Sequence, residues 1–128
     1  MNYLLDTHAL LWWRLEPARL SPLARATIQD GSNQLYWSAA STWECSVKAS
    51  MGRLILPDPP AVFFPRVIEE EGLVALPVNH AHAAAVADLP LHHRDPFDRL
   101  LIAQAQLEGL ALLSCDAIVR LYGVTVLW

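Results

Sequence analysis

The sequence predicts an α/β fold: a three-layer sandwich whose central, mostly parallel five-stranded sheet is flanked by helices. Three observations lead to it. Short apolar, β-rich runs alternate with helical patterns along the whole chain, as they do in strand–helix–strand units. The strand candidates are continuously apolar and not alternating, which is how strands covered on both faces read. With 128 residues, 54% hydrophobic and 17% charged, the chain can bury one sizeable core and is too apolar for disorder.

Taken in order, Asn2-Tyr-Leu-Leu5 is the first strand, ending at Asp6, and residues 7–14 form a short helix. Ser21 and Pro22 supply an N-cap and a first helical residue for a helix to about Asp30, which Gly31-Ser-Asn breaks. Residues 34–38 are the second strand, followed by a helix over 39–51 that Ser38 caps and Gly52 closes. Pro57-Asp-Pro-Pro turns into a helix over 60–70, ended by Gly72. Residues 73–76 are the third strand and 79–87 an Ala-rich helix. A loop over 89–95 carries Pro90, His92 and His93, and a helix over 96–108 stops at Gly109, glycine being favoured just past a helix end. Residues 110–114, 116–121 and 124–127 complete the pattern as strand, short helix and strand. No linker, repeat or low-complexity run divides the chain, so a single domain over 1–128 is expected.

Several classes are disfavoured. No apolar run approaches the roughly 18 residues of a membrane span. Asp6 falls where a secretory leader would be apolar. Cys45 and Cys115 make neither a disulfide framework nor a CxxC pair, which suits two reduced thiols in a cytoplasmic protein. The net charge of −4 by itself disfavours a polyanionic ligand. Setting aside Asp6, Glu44, Asp98 and Asp116, however, leaves acids and bases in balance, and a cation shared by those four would cancel their repulsion toward phosphate.

These four acids are the candidate chemistry. Ligands of doubly wound sheets bind beyond the C-terminal strand ends. Asp6 and Asp116 follow predicted strands, Glu44 lies one or two helical turns past another, and Asp98 lies in the first turn of a helix. Capping explains any one of them singly. It explains Glu44 poorly, because Ser38 is the better cap, and Asp98 lies on the side of its helix marked by Leu101, Ile102 and Ala105. A carboxylate near an apolar face is costly unless paired or bound to a cation. An all-carboxylate set suits Mg²⁺ or Mn²⁺ over zinc, and such an ion would activate a water for in-line attack on a phosphodiester. The histidines, without cysteine at ligand spacing, read as mostly surface or loop residues. Neither a Ser/His/Asp or Cys/His nucleophile nor a Gly-rich phosphate loop is evident.

Four segments then carry a resemblance: Leu4-Leu-Asp-Thr-His-Ala-Leu-Leu-Trp-Trp13, Ser38-Ala-Ala-Ser-Thr-Trp-Glu-Cys-Ser-Val-Lys48, His92-His-Arg-Asp-Pro-Phe-Asp-Arg-Leu-Leu-Ile-Ala-Gln-Ala105, and Ser114-Cys-Asp116 followed by Tyr122-Gly-Val. Nearly end to end, the chain resembles the PIN-domain family, and within it the VapC-type toxins of bacterial toxin–antitoxin pairs. The resemblance implies a Mg²⁺- or Mn²⁺-dependent endoribonuclease with Asp6, Glu44, Asp98 and Asp116 as catalytic metal-site acids. Asp95, Thr7 and Ser114 are second-tier members, the two hydroxyls bridging to water on the ion. Cys45 and Cys115 depart from the usual neighbours of two acids, with no catalytic role apparent. The resemblance also implies a growth-inhibiting toxin, an RNA substrate, a homodimer, and a cognate antitoxin whose C-terminal segment obstructs the site.

Arg94, Arg99 and Lys48 are the candidate RNA-phosphate contacts. Leu10, Leu11, Trp13, Val47 and Met51 would suit a groove for an apolar helix; most of the tryptophans suit packing better than base stacking. A receiver-type signalling domain would need an acidic pair after the first strand and a late lysine, whereas Asp6-Thr-His has no pair and Lys48 is the only lysine. A haloacid-dehalogenase-type phosphatase would need an Asp where His8 stands. A PIN-like module that binds RNA or protein without cleaving stays open.

Overall fold

The computed structural model describes residues 1–128. Its strands are β1 (Asn2–Leu5), β2 (Gln34–Ser38), β3 (Val74–Leu76), β4 (Ala111–Leu113) and β5 (Val126–Leu127). They form one sheet in the order β3-β2-β1-β4-β5. Every pairing is parallel, where a mostly parallel sheet was expected. Between the strands run α1 (Thr7–Leu15), α2 (Pro22–Gln29), α3 (Ala39–Ser50), α4 (Pro60–Glu70), α5 (His80–Ala85) and α6 (Pro96–Glu108).

The strands are apolar on both sides because both sides are covered. Tyr3, Leu5, Trp37, Ala111 and Leu113 join Leu10, Ile28, Phe64 and Val67 in one core. Leu4 and Leu112, alternate in the same strands, join Leu101, Ile102, Ala105, Val119 and Tyr122 in the other. Trp37 stacks on Phe64 with ring centroids 5.5 Å apart. Leu4, Leu5, Leu112 and Leu113 are all 2% exposed or less, and each such side chain contributes roughly 1.5–3 kcal/mol by burial. β1 and its neighbour β4 therefore hold their C-terminal ends firmly.

Three stretches differ from expectation. The 79–87 helix stops as α5 and continues as a 3-10 turn, Val86–Asp88, because Pro90 keeps Leu89 extended (φ −74, ψ 137). The 116–121 helix is a 3-10 helix, Ala117–Tyr122, too short to gain from a full α ladder. A further 3-10 turn, Pro17–Arg19, had no clear signal. At the end of α6, Gly109 adopts φ 66, which lets Leu110 N bond back to Ala105 O at 2.9 Å and sends the chain directly into β4.

The chain lays down β1, steps outward to β2 and β3, then crosses through α5 and α6 to β4 on the other flank of β1. The connections leaving β1 and β4 thus diverge, opening a crevice at their C-terminal ends. No helix is long and apolar enough to cross a membrane.

Candidate metal centre

Asp6 is the first residue beyond β1. Its backbone N–H donates to Leu113 O at 3.0 Å, tying the ends of β1 and β4 together. Its Oδ1 caps α1 by accepting from His8 N at 3.2 Å, and its Oδ2 accepts from Ser114 Oγ at 2.6 Å. Burial pushes this carboxyl above the ordinary carboxylate range and the Glu44 charge adds to the rise, against the opposing Ser114 bond and His8. Capping and membership of the crevice are thus combined in one side chain.

Glu44 sits inside α3, buried, since Ser38 takes the cap by accepting from Ala40 N. Thr7 Oγ1 donates to Glu44 Oε1 at 2.7 Å and lies 2.9 Å from Ser41 Oγ. Lys48, one turn on, reaches Glu44 Oε2 at 2.5 Å. Burial pushes the Lys48 ammonium down, but its bond to Glu44 and the nearby negative charges outweigh this and hold it above its ordinary value.

Asp95 caps α6, its Oδ1 accepting from Phe97 N and Asp98 N. Asp98, in the first turn, is pushed up to about 7 by burial and by the charges of Asp6, Asp95 and Glu44, with His93 opposing. Asp116 caps the 3-10 helix through Ile118 N at 3.0 Å, and its own N–H donates to Ser114 Oγ at 3.1 Å. His93 joins the last two acids: its Nε2 lies 3.0 Å from Asp98 Oδ2 and 2.9 Å from Asp116 Oδ2.

The four expected acids thus stand around one rim, in unequal closeness. His93, Asp98 and Asp116 form the tightest group, with ligand atoms within 4.8 Å of one another. Asp6 and Asp98 line a single small cavity with Ser114. Glu44 is tied to that rim through Thr7, which follows Asp6 directly. The chemistry of the donor set fits a divalent cation: carboxylates converge, half-buried or buried, and Asp98 is held toward neutrality by burial and by the charge of its neighbours.

Some of the other expectations are corrected. Arg99, expected at RNA phosphates, is only 8% exposed. Its guanidinium donates to Pro90 O, Val86 O, Leu89 O and Tyr122 Oη, because the loop 86–93 turns those carbonyls inward over it beside the Tyr122 hydroxyl. Arg94 is exposed, next in the chain to His93. Lys48 is the partner of Glu44, its side chain 38% exposed. The histidines are not uniformly superficial: His82 is 1% exposed and bonded to Glu108 at 2.7 Å, and His93 stands inside the acidic rim. The only hint of His93 was its place two residues before the Asp95 cap. The apolar groove also has different walls. Leu10 lies wholly in the core, and the depression beside Thr7 and Lys48 is formed by Leu11, Trp12, Leu15, Leu54 and Ile55.

Comparison with known proteins follows the same outline. The family model described as PIN domain matches residues 3–123. Ribonuclease VapC22 of Mycobacterium tuberculosis is 33% identical over 117 residues, 91% of this chain and 88% of that one. Ribonuclease VapC16 of the same organism is 40% identical over 60 residues, which span 47% of this chain and only 43% of the relative. Among solved structures, VapBC2 from Rickettsia felis, bound to a DNA fragment from its promoter, superimposes with a TM-score of 0.71 at 12% identity, covering 100% of this chain and 99% of that one. FitAcB from Neisseria gonorrhoeae gives 0.64 at 21% identity over 98% and 96%. At such identities the two structures speak for the fold alone.

Proposed function

The chain belongs to the PIN-domain family, and from that premise we propose that it is a Mg²⁺- or Mn²⁺-dependent endoribonuclease acting as a toxin held in check by a cognate antitoxin. The observation that carries this reading is the rim itself: Asp6, Glu44, Asp98 and Asp116 stand about the crevice between β1 and β4, with Asp98 pushed up to about 7 by burial among like charges. The ribonuclease names of the relatives support the reaction class.

In this reading Asp6, Asp98 and Asp116 hold the cation, and Glu44 completes the charge. When bound, the cation supplies Lewis-acid activation of water and stabilisation of charge on the phosphate oxygens. The chain's own residues prepare that event. Ser114 and Thr7 orient Asp6 and Glu44 through short hydroxyl bonds. Asp95 fixes the start of α6 and with it the direction of Asp98. Lys48 offsets the charge of Glu44, and to it and the exposed Arg94 we assign the contacts with backbone phosphates of RNA.

The groove of Leu11, Trp12, Leu15, Leu54 and Ile55 opens beside Thr7 and Lys48, with Arg19 and Arg53 on its border. It is the surface we assign to an antitoxin segment, which would lie across the entrance to the crevice. A cytoplasmic homodimer is part of the same proposal.

The test is to incubate the purified chain with structured RNAs in Mn²⁺ or Mg²⁺, and in EDTA, and to map any cut. Cleavage at defined positions that EDTA abolishes supports the reading. Retention of RNA without cleavage would favour a binding module instead. Expression of the chain alone should slow bacterial growth, and co-expression with its antitoxin should restore it.

A further inference from the structure

His93 has no part in the chemistry just described, yet the loop that carries it is fastened at many points. Tyr122 Oη accepts from His92 N at 3.1 Å and from His93 N at 2.7 Å, and it lies 3.2 Å from the Arg99 guanidinium. The same guanidinium spans four carbonyls of residues 86–93. The backbone at His93 is therefore held from both sides before its ring makes any contact.

The ring is held as well, and its contacts select one tautomer. Asp95 N donates to His93 Nδ1 at 3.1 Å. A backbone N–H can only donate, so Nδ1 must present its lone pair, and in neutral imidazole the proton then resides on Nε2. That Nε2–H points between Asp98 Oδ2 and Asp116 Oδ2, at 3.0 and 2.9 Å. For Nε2 to ligate a cation instead, the proton would have to move to Nδ1 and face the Asp95 N–H, donor against donor. Histidines that bind metals have the opposite arrangement, with the second nitrogen donating to an acceptor.

We infer that His93 is a positioning residue of the cation site: a fixed Nε2–H donor that clamps Asp98 to Asp116 and presents their free lone pairs to the ion without joining its coordination shell. This rests on the reading of the rim as a cation site and adds a residue to it. Without the clamp the carboxylates at the start of α6 and past the end of β4 belong to separate elements, and no other side chain bonds one to the other.

The experiment uses the whole chain and Mg²⁺ alone. Mg²⁺ affinity is measured by calorimetric titration for the parent, His93→Ala and His93→Gln, and the imidazole tautomer is read in the parent from nitrogen-edited spectra with and without Mg²⁺. The parent should bind. His93→Ala should bind at least about tenfold more weakly, the usual loss when a partner of a ligand is removed, and His93→Gln, whose amide N–H can still donate, should recover most of it. The spectra should show a bare Nδ1 and a protonated Nε2 in both states. Unchanged or tighter Mg²⁺ binding by His93→Ala, or loss of the Nε2 proton on adding Mg²⁺, overturns the inference and leaves the cation site standing. A folded parent that does not bind Mg²⁺ at all overturns both. Should His93→Ala fail to fold, the parent spectra and His93→Gln decide.

Discussion

Ser114 Oγ donates to Asp6 Oδ2 at 2.6 Å, joining residues 108 positions apart at the ends of the neighbouring strands β1 and β4. The same oxygen accepts from Asp116 N at 3.1 Å. One buried hydroxyl thus connects two acids of the rim.

Replacing Ser114 with Ala leaves a buried carboxylate oxygen and a backbone donor without their partner. The expected cost is about 1–3 kcal/mol of folding free energy at neutral pH, together with a severalfold weaker response to Mg²⁺. Urea unfolding in EDTA and in Mg²⁺ measures both. A variant as stable as the parent and equally responsive would show that the hydroxyl only fills space.

The metal-free chain should become less stable as pH rises through the acidic range. An ordinary aspartate has a value of 3.8, and burial holds Asp98 near 7 in the folded protein. Between those values the folded state carries a proton that the unfolded chain has lost, so the unfolding free energy must fall with rising pH. Asp6 is raised too and acts in the same direction. In EDTA the melting temperature should be higher at pH 5 than at pH 8. Added Mg²⁺ should recover most at pH 8, because cations bind the deprotonated carboxylates. A melting temperature that rises toward pH 8 without metal would contradict the shared burial of these acids.

The elements that carry the acids were legible because their signals are local. Ser21-Pro22, Asp95-Pro96 and Gly109 each mark a helix end by the chemistry of one or two residues, and continuous apolar strands announce a sheet covered on both faces. The roles of His93 and Arg99 were not legible, since they depend on contacts between distant segments. Pro96 opens α6 and Arg99 follows one turn later. From spacing alone Arg99 reads as a solvated basic residue beside an acid. Its burial follows instead from Tyr122 and from the carbonyls that the 86–93 loop turns inward over it.

That enclosure makes Arg99 sensitive to conservative change. Its guanidinium reaches Pro90 O at 2.8 Å, Val86 O at 3.1 Å, Tyr122 Oη at 3.2 Å and Leu89 O at 3.3 Å. A lysine ammonium is a point donor and cannot span that set. Arg99→Lys should lose about 2–4 kcal/mol of stability and speed hydrogen exchange across residues 86–93. Stability within about 0.5 kcal/mol of the parent, the range of ordinary surface substitutions, would show that the loop holds itself.

Asp98→Asn separates stability from function. The amide keeps the shape of the carboxyl, and its oxygen can still accept from His93 Nε2–H, so the clamp on the loop survives. What it removes is a buried charge that Asp6, Asp95 and Glu44 all oppose. In EDTA at pH 8 the variant should therefore melt above the parent. The gap should narrow as pH falls below about 7 and close only near 3.8, where the unfolded parent also keeps its Asp98 proton. Mg²⁺ should stabilise the parent far more than the variant, and RNA cleavage should be lost with the ligand charge. The combination matters: a misfolded variant would also lose cleavage, but it would not gain stability in EDTA. If Asp98→Asn melts below the parent at pH 8 and still cuts RNA in Mn²⁺, the carboxylate is neither crowded by its neighbours nor needed by the cation, and the rim has another purpose.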